Sequence, residues 1–222
     1  MAPPVALIAH VSNSGHGTRV RLTAEARRAQ IVHSAIEVIA EEGYGAATFA
    51  RIARYAGLAS SGLISYHFAE KADLMRAVVT AVFGTAYDAI RPRMDAQHSP
   101  SAVLREFILA SVEFYAAHPH AIAALTAVRG NLRRPDGRPE FGPEIHEPEL
   151  AELAGYLHDA QRAGEMVAFD TRVVAVSLRA ALDGAALEMS RPGHPDPAHY
   201  GRELVRLFGA ATGRQTEETC PP

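Results

Sequence analysis

From residue 23 onward, apolar side chains recur every three or four positions along nearly the whole chain, the spacing of helices that bury one face. Thr23 reads as an N-cap before Ile31, Ala35, Val38 and Ile39, and Gly43 ends that first helix. Thr48 caps a two-turn helix with Phe49, Ile52, Ala53 and Ala56 on its apolar side, stopping at Gly57. Ser60 or Ser61 caps a third short helix through His67, and Ala69 or Glu70 starts a long fourth helix to about Ala96. Ser99-Pro100 opens a helix to about His118, and Pro119 begins another to about Leu132, since proline suits a first helical turn. Residues 133–148, RRPDGRPEFGPEIHEP, hold four prolines and two glycines and read as a loop or partly ordered lid. Helical spacing then returns over Glu149–Ala163, Thr171–Met189 and Pro197–Ala211, with Gly164, Arg191-Pro192-Gly193 and Gly213 as terminators. No segment alternates as a strand does, so the expected fold class is all-α, with about nine helices. Residues 1–22 and 214–222 lack the helical period and are expected to be a flexible arm and tail.

The short second and third helices, joined by AGLAS, satisfy the requirements of a helix-turn-helix. Gly57 permits a tight or left-handed turn, and Leu58 plugs the space between the helices. Ser60 and Ser61 then stand at the amino end of the second of the two helices, where hydroxyls reach phosphates or base edges. Ile64 and Phe68, four apart, face inward. Leu63, Tyr66 and His67 are left outside: the tyrosine and histidine suit phosphate oxygens, and the leucine suits a thymine methyl. Lys71 completes this surface.

Charge sharpens that reading a little. The net charge is -3, which argues against a protein that coats nucleic acid. From Arg19 to Arg76, however, eight basic residues oppose six acidic ones, giving +2 and leaving -5 for the rest. Arg19, Arg21, Arg27 and Arg28 read equally well as a DNA-tracking arm and as a solvated tail. The 48% hydrophobic content supports a substantial core. A single cysteine, Cys220, permits no intrachain disulfide. With no long apolar run, the expectation is a cytoplasmic protein without membrane association.

At these residues the chain resembles a known family. TFARIARYAGLASSGLISYHFAEKADLM, preceded by IVHSAIEVIAEEGYGAATF, is similar to the helix-turn-helix of TetR-family transcriptional repressors, over roughly Ala29 to Val79. The resemblance implies a DNA-binding domain at residues 23–70 and a larger helical effector-binding and dimerisation domain at 71–213. It also implies a homodimer built on the last two helices and release by a small molecule; separately, the scattered His118, His120, His194 and His199 make no metal set, and no cofactor or metal is expected. Thr48, Ser60, Ser61, Leu63 and Lys71 fall on family positions that touch DNA. Where members often carry two aromatics before His-Phe, this chain has Ser65-Tyr66, so Tyr66 is expected to take over part of that phosphate contact. A looser similarity runs through GYLHDAQRAGEMVAFDTRVVAVSLRAALDGAALEM.

In the carboxy-terminal part, Val174, Leu178 and Leu182 form one apolar stripe, and Leu204, Leu207 and Phe208 form another. Under the resemblance these six are the expected dimer interface; ordinary intrachain core is the other reading. Within FILASVEFYAAHPHAIAALTAVRGN, Phe107, Phe114 and Tyr115 are candidates for an aromatic pocket wall, with His118, Arg129 and Asn131 as polar ligand contacts.

Catalytic signatures are absent: there is no Gly-x-Ser-x-Gly, no phosphate-cradling glycine loop and no His-Glu-x-x-His. The function that the resemblance implies is sequence-specific binding of double-stranded DNA by a homodimeric repressor of a palindromic operator, released by a small-molecule effector. The alternative is a regulator without a small-molecule effector, acting through a protein partner or as an activator.

Overall fold

The computed structural model describes residues 23–213, and among them it is all-helical. In order, the helices are α1 (Ala24–Glu42), α2 (Phe49–Tyr55), α3 (Gly62–His67), α4 (Lys71–Asp95), α5 (Pro100–Ala117), α6 (Pro119–Asn131), α7 (Glu147–Arg162), α8 (Thr171–Met189) and α9 (Pro197–Thr212). Short 3-10 turns occupy Tyr44–Ala46 and Pro143–His146. The expected arm and tail, with Arg19, Arg21 and Cys220, lie outside the described residues. No helix among the described residues is long and apolar enough to cross a membrane.

Local chemistry explains most helix ends. Thr23, Thr48, Ser99, Asp170 and Asp196 each accept a hydrogen bond from a backbone N–H of the first helical turn, satisfying donors that a helix start leaves free. Glu70 and Asp73 form a reciprocal capping box on α4. Gly57 adopts φ +65° in the turn between α2 and α3, a region that costs other residues roughly 1–2 kcal/mol. A Cβ added there meets nothing within 4 Å. Gly57→Ala is therefore expected to destabilise the protein by about 1 kcal/mol through backbone strain alone, visible as a lower denaturant midpoint with unchanged slope.

Two apolar cores result. The first joins Ile31, Ala35 and Val38 of α1 with Ile52, Ile64, Phe68, Leu74 and Val78, and also takes in Ala124, Val128 and Leu132. The expected domain boundary at residue 70 thus runs through a shared core, because α6 packs on α1. The second core gathers Phe107, Val112 and Phe114 of α5 with Leu153 and Leu157 of α7 and Leu178, Leu182 and Met189 of α8.

Residues 133–146, expected to be a loop or lid, form an ordered strap. Arg133 and Pro139 pair in an isolated antiparallel bridge around a turn at Gly137. Glu140 accepts from Arg76 of α4 at 2.8 Å, and Phe141 and Ile145 pack against the first core. Its turn residues were readable in sequence; the anchors, which lie more than sixty positions away in the chain, were not.

Candidate nucleic-acid interface

The α2-turn-α3 unit is held from behind and open in front. Ile52 and Ile64 are fully buried and Phe68 nearly so, while Leu58 packs at the edge of the same core. This fixes α3 by its inner side and turns the opposite side to solvent. Tyr66 is 81% exposed and Leu63 40% exposed. Ser60 is exposed, while Ser61 and His67 are partly covered. The Tyr66 and His67 rings meet edge to face with centroids 5.1 Å apart.

Thr48 fulfils its capping role: its hydroxyl accepts from the Arg51 N–H at 3.2 Å. Ser61 occupies the N-cap position of α3 but makes no side-chain cap hydrogen bond there, which leaves its hydroxyl available. Lys71, expected on the DNA-contacting surface, is engaged within the chain. Its ammonium donates to the Tyr44 carbonyl at 2.7 Å and sits 4.3 Å from the Tyr44 ring centroid. Burial pushes its pKa down. Lys71 is therefore a strut between α4 and the turn after α1, and any DNA contact uses its remaining donors. Tyr44 gave no sequence signal for this role, because the two residues are 27 positions apart. Arg51 is bound to Glu42 through Nε at 2.9 Å and stacks near Tyr55. Arg28 lies 4.8 Å over the Phe68 ring. Arg54 is exposed and has no ion-pair partner among the described residues.

The expected ligand contacts do not assemble into a cavity. Phe107, Phe114 and Tyr115 are filled core, each less than 9% exposed. His118 stacks on Phe114 with centroids 4.4 Å apart, and burial lowers its pKa, keeping the imidazole neutral. Arg129 is half-buried, and Asn131 is exposed with its amide donating to the Ala127 carbonyl. A cavity of about 270 Å³ lies elsewhere, among α5, α7, α8 and α9, and none of those six residues lines it. Its walls include Leu104, Ile108, Leu157, Leu178, Val205 and Phe208. Aromatic spacing on α5 does not distinguish a filled core from a face that adjoins empty space.

The expected dimer stripe needs a similar correction. Leu178 and Leu182 are buried within their own chain, and Val174 and Phe208 border the cavity. On α8 the exposed apolar side chains are instead Val173, Val176 and Leu187, and on α9 Leu207 is 61% exposed beside the half-buried Leu204. A helix apolar on two sides offers two candidate faces, and packing against α5 and α7 selected one of them.

Among the described residues, Glu37, Glu41 and His120 bring their ligand atoms within 4.8 Å of one another where α1 meets α6. His120 Nδ1 lies 2.7 Å from the Glu37 carboxylate, so an interhelical pair accounts for the grouping.

This geometry is a helix-turn-helix backed by a larger helical body. Residues 31–78 match the model of the bacterial regulatory proteins of the tetR family. Over 178 residues the chain is 27% identical to the HTH-type transcriptional regulator BetI of Pseudomonas paraeruginosa, covering 75% of this chain and 83% of that protein. A solved tetR-family regulatory protein from Rhodococcus RHA1 superposes with a TM-score of 0.70 at 21% identity, over 84% of this chain and 97% of that one. AibR, solved in complex with isovaleryl coenzyme A and operator DNA, superposes with a TM-score of 0.68 at 14% identity, over 82% of this chain and 97% of that one. Residues 31–78 thus carry the amino-terminal domain of the tetR family of bacterial regulatory proteins, and the chain as a whole is similar to HTH-type transcriptional regulators.

Proposed function

We propose that the protein is a homodimeric repressor that binds a palindromic operator through α3 and is released by a small-molecule effector. The observation that carries the DNA-binding part is the outward face of α3, where Leu63 and Tyr66 stand exposed on a helix whose inner face is locked by Ile64. Thr48, Ser60, Ser61 and His67 flank that face as phosphate contacts, with Lys71 positioning the turn beside them. Dimerisation places two α3 helices about one DNA turn (~34 Å) apart. It uses the outer stripe of α8, Val173, Val176 and Leu187, with Leu204 and Leu207 of α9. A shallow groove along α9, lined by Tyr200, Glu203, Leu204, Arg206, Leu207 and Ala210, suits side chains of a second copy.

The effector occupies the cavity among α5, α7, α8 and α9. α8 and α9 carry the cavity wall on one side (Val174, Leu178, Val205, Phe208) and the proposed interface on the other (Val176, Leu207). A ligand that displaces either helix therefore changes the spacing of the two recognition helices and shifts the population away from the operator-competent state. The fold-related AibR was solved with both a ligand and operator DNA, which is the pair of partners this reading requires.

The first test is selection of bound duplexes from a random DNA pool. The expected product is a palindrome whose affinity falls steeply with salt; a folded dimer that enriches no sequence overturns the reading. On that operator, Tyr66→Phe is expected to weaken binding by about 3 kcal/mol over two half-sites, from about 1.5 kcal/mol for one hydrogen bond to an ionised phosphate oxygen in each. Base preference and salt slope stay the same, because the phenol carries no charge and reads no base. A changed preference, measured by anisotropy titration against operator variants, would move Tyr66 from the backbone to the bases.

A further inference from the structure

The cavity has a chemical asymmetry that narrows what it takes. Leu104, Ile108, Leu157, Val205 and Phe208 make its interior apolar, and only Ser101, Arg105 and Thr212 bring hydroxyl or charged groups to its lining. Two of those three already have partners. The Thr212 hydroxyl donates to the Phe208 carbonyl at 2.7 Å, and the Ser101 hydroxyl lies 3.3 Å from that of Ser99. Arg105 is exposed at the rim and has no carboxylate or carbonyl partner among the described residues. From Arg76 to Arg206, every other arginine except Arg129 has one. Neighbouring acids are already engaged: Glu106 pairs with Arg93, and Glu203 with Arg206. Glu165 accepts from the Ser101 N–H at 2.9 Å, and its hydrogen bonds to Ser101 and Ser99 lower its pKa. The rim thus offers one uncommitted cation beside an apolar chamber.

We infer that the effector is a small amphiphilic monoanion, with an unbranched or short-branched hydrocarbon body in the cavity and a carboxylate against the Arg105 guanidinium. The inference rests on the reading of this cavity as the effector site and adds the ligand's class. At about 270 Å³ the cavity is near the lower end of ligand pockets, so the body is short. A guanidinium matches a carboxylate with two parallel N–H donors, whereas a neutral head group leaves the cation without a counter-charge.

The experiment titrates the full-length protein with butanoate, hexanoate, octanoate and decanoate, and with primary alcohols and amines of the same lengths, by calorimetry below micellar concentrations. Carboxylate affinity is expected to rise about fourfold per methylene until the cavity is full, and to exceed that of the matching alcohol about tenfold. Arg105→Gln removes that preference and keeps the chain-length dependence; its exposed position makes it a safe substitution for folding. Ala102→Leu, which intrudes on the cavity, weakens the whole series, with the melting temperature as the check on folding. Equal binding of alcohols and carboxylates, a preference for amines, a preference that survives Arg105→Gln, or no binding by any series overturns the assignment. The same carboxylates are then added to the operator complex. Binding that matches the expectation while operator affinity stays unchanged supports the anion site and instead sinks the effector reading.

Discussion

Val176→Glu combined with Leu207→Glu is expected to yield a folded, helical monomer whose operator affinity is lower by about 10²–10⁴-fold. Val176 and Leu207 are exposed in the chain by itself, at 44% and 61%, so a carboxylate at either site meets water in the monomer and disturbs no core. In a dimer closed on α8 and α9, symmetry places each glutamate against the same apolar patch of its mate, where an unpaired charge loses its hydration. One half-site then binds without the linked second event. Light scattering at micromolar concentration reads the assembly, and circular dichroism confirms the fold. Tyr87→Glu on α4, at a residue 61% exposed and away from the proposed interface, serves as the control and stays dimeric. A double variant that remains dimeric places the interface on another surface.

Arg179→Leu is expected to be the most destabilising single change of an ion-paired residue. The Arg179 side chain is only 12% exposed and reaches Glu149 at 2.9 Å, with Asp183 and the Tyr115 hydroxyl both at 3.0 Å. This network ties α5, α7 and α8 together, and His146, buried against Phe83, stands 3.5 Å from the same Glu149 carboxylate. Removing one partner of such a buried pair costs about 3–5 kcal/mol, since the other charge stays behind. For a chain of this size the melting temperature drops by roughly 10 °C.

The pH dependence of that loss has a definite sign. Burial pushes the Glu149 carboxyl up, but His146 and Arg179 more than offset it and hold the group below its ordinary value of 4.5. A depressed folded pKa means that the paired carboxylate stabilises the wild type above pH 4.5, and that this stability is lost as pH falls through the folded value. In Arg179→Leu, desolvation is opposed by His146 alone, so the penalty is present at neutral pH and shrinks once the carboxyl is protonated. Unfolding curves for the two proteins should therefore converge below about pH 4.5. A gap that is constant with pH would assign the loss to packing of the arginine stem.

Much of the recognition module is legible in the sequence. Thr23, Thr48 and Gly57 are signals read within a few residues, and the six-residue α3 with Ile64 inward and Tyr66 outward follows from helical spacing alone. Other roles are hidden from the sequence for a shared reason. Lys71 looks free in sequence because its partner, the Tyr44 carbonyl, comes from a turn before the helix-turn-helix. Leu178 and Leu182 looked like interface because the apolar spacing of α8 is equally compatible with either of its two apolar sides. Phe107, Phe114 and Tyr115 looked like a pocket wall because aromatic residues line both pockets and filled cores.

The sequence by itself determined the helices, their caps, the positive-φ glycine turn and hence the DNA-binding module, since each depends on interactions among residues close along the chain. The tertiary structure alone decided which side of α8 is core, where the cavity opens, and that among the described residues Arg105 is left without a partner while Arg179 gains three. Those outcomes depend on which helices meet, and residues dozens of positions apart are brought together only when the whole chain packs.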